Sequence, residues 1–190
     1  LSGSYNSAEL GKKLYHEMYG DKNIFVCDSH SASCGETQLA LLAAKWSEEG
    51  ISFEEICHKL TDYRDHMKTY FVLNNLDTLR KNGRLSGVKA LVASTLSIKP
   101  VMGSNRGEII QLAQAIGIKK GLAKMAEMVG KEAVRPEERT LMITHCNCPE
   151  RAESVKKMIL EKIKVKEALV MDTRGVSSMY ANDGGVIVTL

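Results

Sequence analysis

The stretch Leu1-Ser2-Gly3-Ser4-Tyr5-Asn6-Ser7-Ala8 sets hydroxyls and a glycine at the head of a helical pattern. The first N–H groups of a helix lack intrahelical partners, and the helix dipole makes that end partly positive. Gly3 lets a ligand come close to the backbone, and the hydroxyls of Ser2 and Ser4 can donate to an anion. A carboxylate or a phosphate fits such a seat. Ser4 or Ser7 acting only as an N-cap fits the same residues.

The design recurs at Cys27-Asp28-Ser29-His30-Ser31-Ala32-Ser33-Cys34-Gly35-Glu36-Thr37-Gln38. An apolar run ends in Asp28-Ser29, a loop of small residues follows, and a helix begins near Gly35. Strand ends of this kind are where ligands bind in α/β sheets. Cys34 lies near the helix start, which can lower a thiol pKa, and His30 is the nearest base in sequence. Arg84, in Asn82-Gly83-Arg84, can bind an anion or tie down its loop. Tyr180, ahead of Gly184-Gly185 and a terminal apolar run, can donate to an anion or sit half-buried at a strand entry. His145, Cys146 and Cys148 cluster in Thr144–Glu150 without the second pair that a zinc site needs. They read as the end of a buried strand followed by a helix cap. Walker and Gly-x-Gly-x-x-Gly signatures are absent.

These residues need elements to position them. Ala8, Leu10, Leu14 and Met18 recur every two to four positions and predict a helix from Ser4 to Tyr19. Asn23–Ser29 reads as a short buried strand. A Leu- and Ala-rich helix follows, closed by Gly50, and Ser52 with Glu55 forms a capping box for another that runs to about Met67. The character changes near Lys68. A strand at Tyr70, a short helix, and two strands around the Gly103–Gly107 turn come next. A helix over Lys119–Val129, a strand at Arg139–His145, a helix led by Pro149 and two final strands complete the chain. Strands joined by hairpins and flanked by helices predict a mixed or antiparallel sheet covered on one face.

Composition removes several classes. Hydrophobic residues make up 44% and charged residues 26% of the 190, enough for a real core. A net charge of +3 with only 5% aromatics argues against a nucleic-acid surface, which needs a basic stripe and stacking rings. No apolar run reaches membrane-spanning length, so stable membrane insertion is not expected. Five cysteines in irregular spacing suit reduced thiols in a cytoplasmic setting.

Taken in order, four pieces resemble the DegV family of bacterial fatty-acid-binding proteins. Leu1–Ala8 is similar to its Leu-Ser-Gly-Thr loop, and Asp28–Gly35 to its Asp-Ser-x-x-x-Ser-x-Gly segment. Tyr70–Gly87 is similar to its strand, Leu-x-x-Leu and Gly-Gly-Arg-Ile turn, and Leu96–Val101 to its Ile-Lys-Pro strand. The resemblance implies an α/β, two-domain architecture. Residues 1–68 would be the later part of a parallel-sheet α/β domain on the lipid head-group side. Residues 69–190 would be an α+β domain with a mixed or antiparallel sheet on the acyl-chain side. In the family, further strand–helix units precede the Leu-Ser-Gly-Thr loop, so the chain resembles the later part of a longer protein.

The implied function is binding of one long-chain fatty acid and its presentation to a separate fatty acid kinase. By this resemblance the protein is not an enzyme and needs no cofactor or metal, only the bound lipid. Ser2 matches the family serine that bonds the carboxylate, with Gly3 and Ser4 beside it. A buried acyl chain gains about 0.8 kcal/mol per CH₂, and nine methionines suit an adaptable apolar tunnel or an ordinary core. Two positions depart from the pattern. Tyr180 falls where the family carries a loop histidine, and Ile116 falls where an arginine follows the hairpin. Lys119 and Lys120 then offer either a substitute basic patch or plain solvated charge. Two rivals stand beside this function: an acyl hydrolase using Cys34 or Ser2, and an interaction module of the same fold that binds no lipid.

Overall fold

The computed structural model describes residues 3–85, 88 and 97–190. Three helices come first: α1 (Gly3–Tyr19), α2 (Cys34–Glu48) and α3 (Phe53–His66). Strand β1 (Thr69–Val72), helix α4 (Asp77–Lys81) and the hairpin β2 (Ile98–Asn105) and β3 (Glu108–Ile116) follow. Then come α5 (Ile118–Glu132), a 3-10 turn at Pro136–Glu138, β4 (Thr140–His145), α6 (Pro149–Leu160), β5 (Glu167–Asp172), α7 (Gly175–Ala181) and β6 (Val186–Thr189).

The strands form one mixed sheet in the order β3-β2-β1-β6-β4-β5, in which only β4 and β5 run parallel. The expected α/β class with a mixed sheet therefore holds. The parallel pair needs a crossover, and α6 supplies it, started by Pro149 at its first turn. Helices α5 and α6 cover one face. Leu122, Met125, Ala126 and Val129, spaced three and four apart on α5, pack there against Val72, Val101, Leu141 and Val188. The expectation of one covered face falls short, because the other face carries its own apolar cluster. Cys34 of α2, Phe71, Leu73, Leu79, Met102, Met142 and Ile187 form it. Alternation along β1 explains the division: Tyr70 and Val72 point to one cluster, Phe71 and Leu73 to the other.

Two local expectations differ from the structure. Residues 20–29 form neither helix nor strand, although Asn23–Ser29 reads as a strand. A strand needs a hydrogen-bonding neighbour, and no described strand runs beside this segment. The approach to β6 is the short helix α7, where sequence suggested a loop. Its serines and Val176 are weak helix formers. The helix is held instead by a 2.8 Å bond between Thr173 and Ser178 hydroxyls and by Thr78 Oγ1 donating to Asn182 at 3.2 Å. Among the described residues, no helix is long and apolar enough to cross a membrane.

Candidate functional site

A cavity of about 500 Å³ lies on the face of the sheet opposite α5 and α6. Its apolar wall comes from Phe71, Leu73, Leu79, Ile109, Val176 and Ile187. Leu73 directly follows β1 and the others sit on β1, α4, β3, α7 and β6, so five elements from distant parts of the chain close one space. Its polar positions include Ser4, Ser31, Ser33, Glu36, Arg84 and Tyr180. Glu36 and Arg84 are the charged groups among the described residues lining it.

The loop Asp28–Ser33 forms one side of the cavity and is tied down from several directions. Ser31 bonds the Thr69 hydroxyl at 2.7 Å, and Ser33 bonds the Thr144 hydroxyl at 2.8 Å. Ser104 Oγ donates to the His30 carbonyl at 2.7 Å, and Arg64 donates to the Asp28 carbonyl at 3.2 Å. These bonds hold His30 and Ser33 at φ 52° and 58°, a region costly for non-glycine residues. Ser33 therefore leaves the α2 amides uncapped by its side chain and turns its hydroxyl to the sheet. Burial pushes the Glu36 pKa up, and the nearby Ser33 backbone offsets part of that rise.

Gly35 packs against Ser31 so closely that an added Cβ would overlap the Ser31 side chain and lie 3.2 Å from Met67 Cε. Gly35→Ala is therefore expected to cost about 1–3 kcal/mol. Denaturant unfolding would test this, and a loss below about 0.5 kcal/mol would show that the loop yields freely.

The residues singled out from sequence separate into groups. Ser4 and Tyr180 both line the cavity. Gly3 is the exposed first residue of α1 and does not line it. Ser2 lies outside the described residues. Tyr180 sits on α7, with the Arg84 guanidinium 5.9 Å from its ring centre. Arg84 also donates to the Asn82 carbonyl at 2.7 Å, so it anchors its turn and faces the cavity together. Cys34 does open α2, but it is fully buried, its thiol faces the Ile187 carbonyl, and burial raises its pKa. That environment opposes a thiolate nucleophile. His30 lies instead near Asp28 and Asp65, at 3.6 and 3.9 Å.

His145 and Cys148 behave as the strand end and helix cap expected of them. The Cys148 N–H donates to His145 Nδ1 at 3.4 Å, and Cys148 Sγ faces the Gly185 carbonyl. Among the described residues, no group of three potential metal ligands occurs. Lys119 and Lys120 are exposed at the start of α5, and Ile116 is 68% exposed at the end of β3. Sequence reasoning missed Ser31, Ser33, Thr69, Ser104 and Thr144. The alternating serines of the loop were the available signal, and the threonine partners had none.

The DegV family profile, described as one of uncharacterised proteins, matches residues 1–189. A DegV domain-containing protein of Clostridium perfringens is 36% identical over 171 residues, covering 90% of this chain and 59% of the relative. The chain thus spans about three fifths of the length of that relative. A Ruminococcus gnavus DegV family crystal structure with vaccenic acid superposes with a TM-score of 0.96 at 51% identity, covering 100% of this chain and 68% of that one. The Streptococcus pneumoniae Fatty Acid Kinase (Fak) B3 protein, loaded with linoleic acid, superposes at 0.87 with 31% identity, covering 100% and 67%.

Proposed function

The chain belongs to the DegV family, and on that premise we propose that its protein binds one long-chain fatty acid and presents it to a fatty acid kinase in the cytoplasm. The apolar cavity with a hydroxyl-bearing edge is the observation that carries this reading. Its volume falls in the range of small-molecule sites, and its lining is mostly apolar with a few polar groups. The acyl chain lies along Phe71, Leu73, Leu79, Ile109 and Ile187. Ser2, Ser4 and Tyr180 hold the carboxylate, helped by the N-terminal amides of α1. In this arrangement residues 1–68 form the head-group side and residues 69–190 the acyl-chain side. The chemistry belongs to the kinase, and this protein acts as carrier. Relatives with bound vaccenic and linoleic acid support the ligand class, and the Fak B3 relative supports the partner.

Mass spectrometry of an organic extract of the purified full-length protein tests this directly. A near one-to-one fatty-acid signal is expected. An empty extract, with no uptake of added palmitate or oleate, overturns the reading.

Glu36 supplies a pH test. Its carboxyl titrates above the usual range because of burial, so the folded state holds its proton to higher pH than the unfolded chain does. Its contribution to stability is therefore lost as pH rises through the folded value, and the lining gains a negative charge over the same interval. Glu36→Gln removes both effects. Palmitate is expected to bind the variant several-fold more tightly than wild type at a pH above the folded-state pKa of Glu36, and the gap should close at a pH below it. Calorimetry at both pH values would show it, and a pH-independent ratio would mean that Glu36 does not sense the ligand charge.

A further inference from the structure

Helix α7 stands as a thin wall between the apolar cavity and solvent. Its residues Val176, Ser177, Tyr180 and Ala181 line the cavity, yet Val176 is 67% and Met179 50% exposed, and Ala181 is the one buried residue of the helix. Ser177 also lines a second, polar cavity of about 460 Å³, shared with Thr37, Thr173 and Arg174. The other walls are fixed. Phe71, Ile109 and Ile187 belong to strands hydrogen-bonded into the sheet, Leu79 is buried, and the Asp28–Ser33 loop is tied to β1 and α3. We infer that α7 is the door through which a fatty acid enters and leaves the apolar cavity, hinged at Asn182–Gly185 and latched by the Thr173–Ser178 hydroxyl bond. The inference rests on the fatty-acid reading and adds the route that the ligand takes.

The two ends of α7 are held unequally. Past its C-terminus, Thr78 Oγ1 donates to Asn182 Oδ1 at 3.2 Å, Asn74 Nδ2 to the Asp183 carbonyl at 2.7 Å, and Arg151 to the Gly184 carbonyl at 2.8 Å. The Gly184 N–H donates in turn to the Cys146 carbonyl at 2.8 Å. Asn182 and Gly184 lie at φ 55° and 81°, and a Cβ added to Gly184 would overlap Asn74 and Arg151. That end is a fixed pivot. At the other end Gly175 lies at φ 49°, and an added Cβ would meet nothing within 4 Å. Arg174, Gly175 and Val176 are exposed. Among the described residues, the hydroxyl bond of 2.8 Å between Thr173 and Ser178 is what ties this half down, and the Thr173 N–H donates to the His145 carbonyl at 2.8 Å. The Cys146 thiol adds a weak contact, 4.0 Å from the Ser178 carbonyl.

Breaking that one hydroxyl bond frees the N-terminal half of α7. Its glycine, valine and serines are weak helix formers, so little else resists the movement. Swinging the half outward carries Val176 and Ser177 away from the apolar cavity and joins it to the polar one. The latch is closed whether the cavity is empty or filled. Losing it therefore favours the open form equally in both states, so entry and exit accelerate together while affinity stays the same.

The test follows palmitate on the full-length protein. Calorimetry gives the affinity, release of radiolabelled palmitate to excess albumin gives the exit rate, and the two together give the entry rate. Thr173→Val removes the hydroxyl at nearly constant shape, Thr173→Ser keeps it, and Ser178→Ala removes the other half of the bond. Thr173→Val and Ser178→Ala are each expected to raise both rates about fivefold, with affinity within about twofold of wild type, and Thr173→Ser should keep the wild-type rates. Melting temperatures identify a variant that fails to fold, and the other then carries the comparison. Hydrogen exchange on the wild type needs no variant: the α7 amides should exchange well before those of β1 and β6. Unchanged rates, weaker affinity through faster exit alone, equal acceleration in Thr173→Ser, or α7 amides as protected as those of β6 each overturn the inference. A wild type that binds no palmitate overturns the fatty-acid reading itself.

Discussion

Ile109→Trp is expected to remove fatty-acid binding by the full-length protein while leaving its fold in place. Ile109 projects from β3 into the apolar cavity and is 8% exposed. An indole there extends into empty space and occupies the path of the acyl chain. Displacing about five methylenes, at about 0.8 kcal/mol each, removes about 4 kcal/mol of binding. That corresponds to roughly a thousandfold in affinity. Overpacking a filled core costs about 1–3 kcal/mol, and the adjoining cavity gives the ring room to avoid most of it. Ile116→Trp is the control, since Ile116 ends the same strand and is 68% exposed. Palmitate titration of both variants decides the matter. Retention of affinity within about tenfold in Ile109→Trp, with melting unchanged, would place the acyl chain elsewhere.

The fold was largely legible where burial and local pattern agree. On α5, Leu122, Met125, Ala126 and Val129 recur at helical spacing and pack on the sheet. Ser52 and Glu55 announce α3, and the Ser52 side chain does accept the Glu55 N–H. The hairpin β2–β3 follows its Gly-rich turn, with Arg106 and Gly107 in the left-handed region. The failures have a common cause. Asn23–Ser29 has strand-like residues, but strand formation depends on a neighbour, which a local pattern cannot supply. Helix α7 has poor helical residues and exists because Thr173 and Thr78 hold its two ends.

The site was less legible, for a related reason. Ser4, Arg84 and Tyr180 stood out because each belongs to a short stretch of suggestive chemistry. The hydroxyl pairs that shape the loop join residues 38 and 111 positions apart. Thr69 and Thr144 look like ordinary strand residues until the sheet brings the loop to them. Cys34 shows the opposite error. A helix start favours a thiolate, but complete burial outweighs that effect and raises the pKa.

Gln38→Ala should produce the largest loss of stability among single changes on this face. Gln38 is 2% exposed, and it is a polar side chain with its donors and its acceptor engaged. Its Nε2 donates to the Tyr63 hydroxyl and to the Thr140 carbonyl, the latter at 2.8 Å. Its Oε1 accepts from the Thr189 hydroxyl at 3.0 Å. One side chain thus joins α2 to α3, β4 and β6. Truncation removes three bonds worth about 1 kcal/mol each and leaves the buried Thr189 hydroxyl without this acceptor. A loss of about 3 kcal/mol corresponds to roughly 6–12 °C in melting temperature for a chain of this size. Gln38→Leu separates packing from hydrogen bonding, because it refills the volume without restoring a donor. If Leu rescues most of the loss, packing dominates; if it melts as low as Ala, the polar network does. A drop below about 2 °C in both variants would show that α2 is held by its apolar contacts alone. The functional consequence follows from position. Gln38 lies one turn beyond Cys34, in the part of α2 that carries Glu36 and Thr37 into the cavity walls. Loosening it should speed fatty-acid release even at temperatures where the protein remains folded.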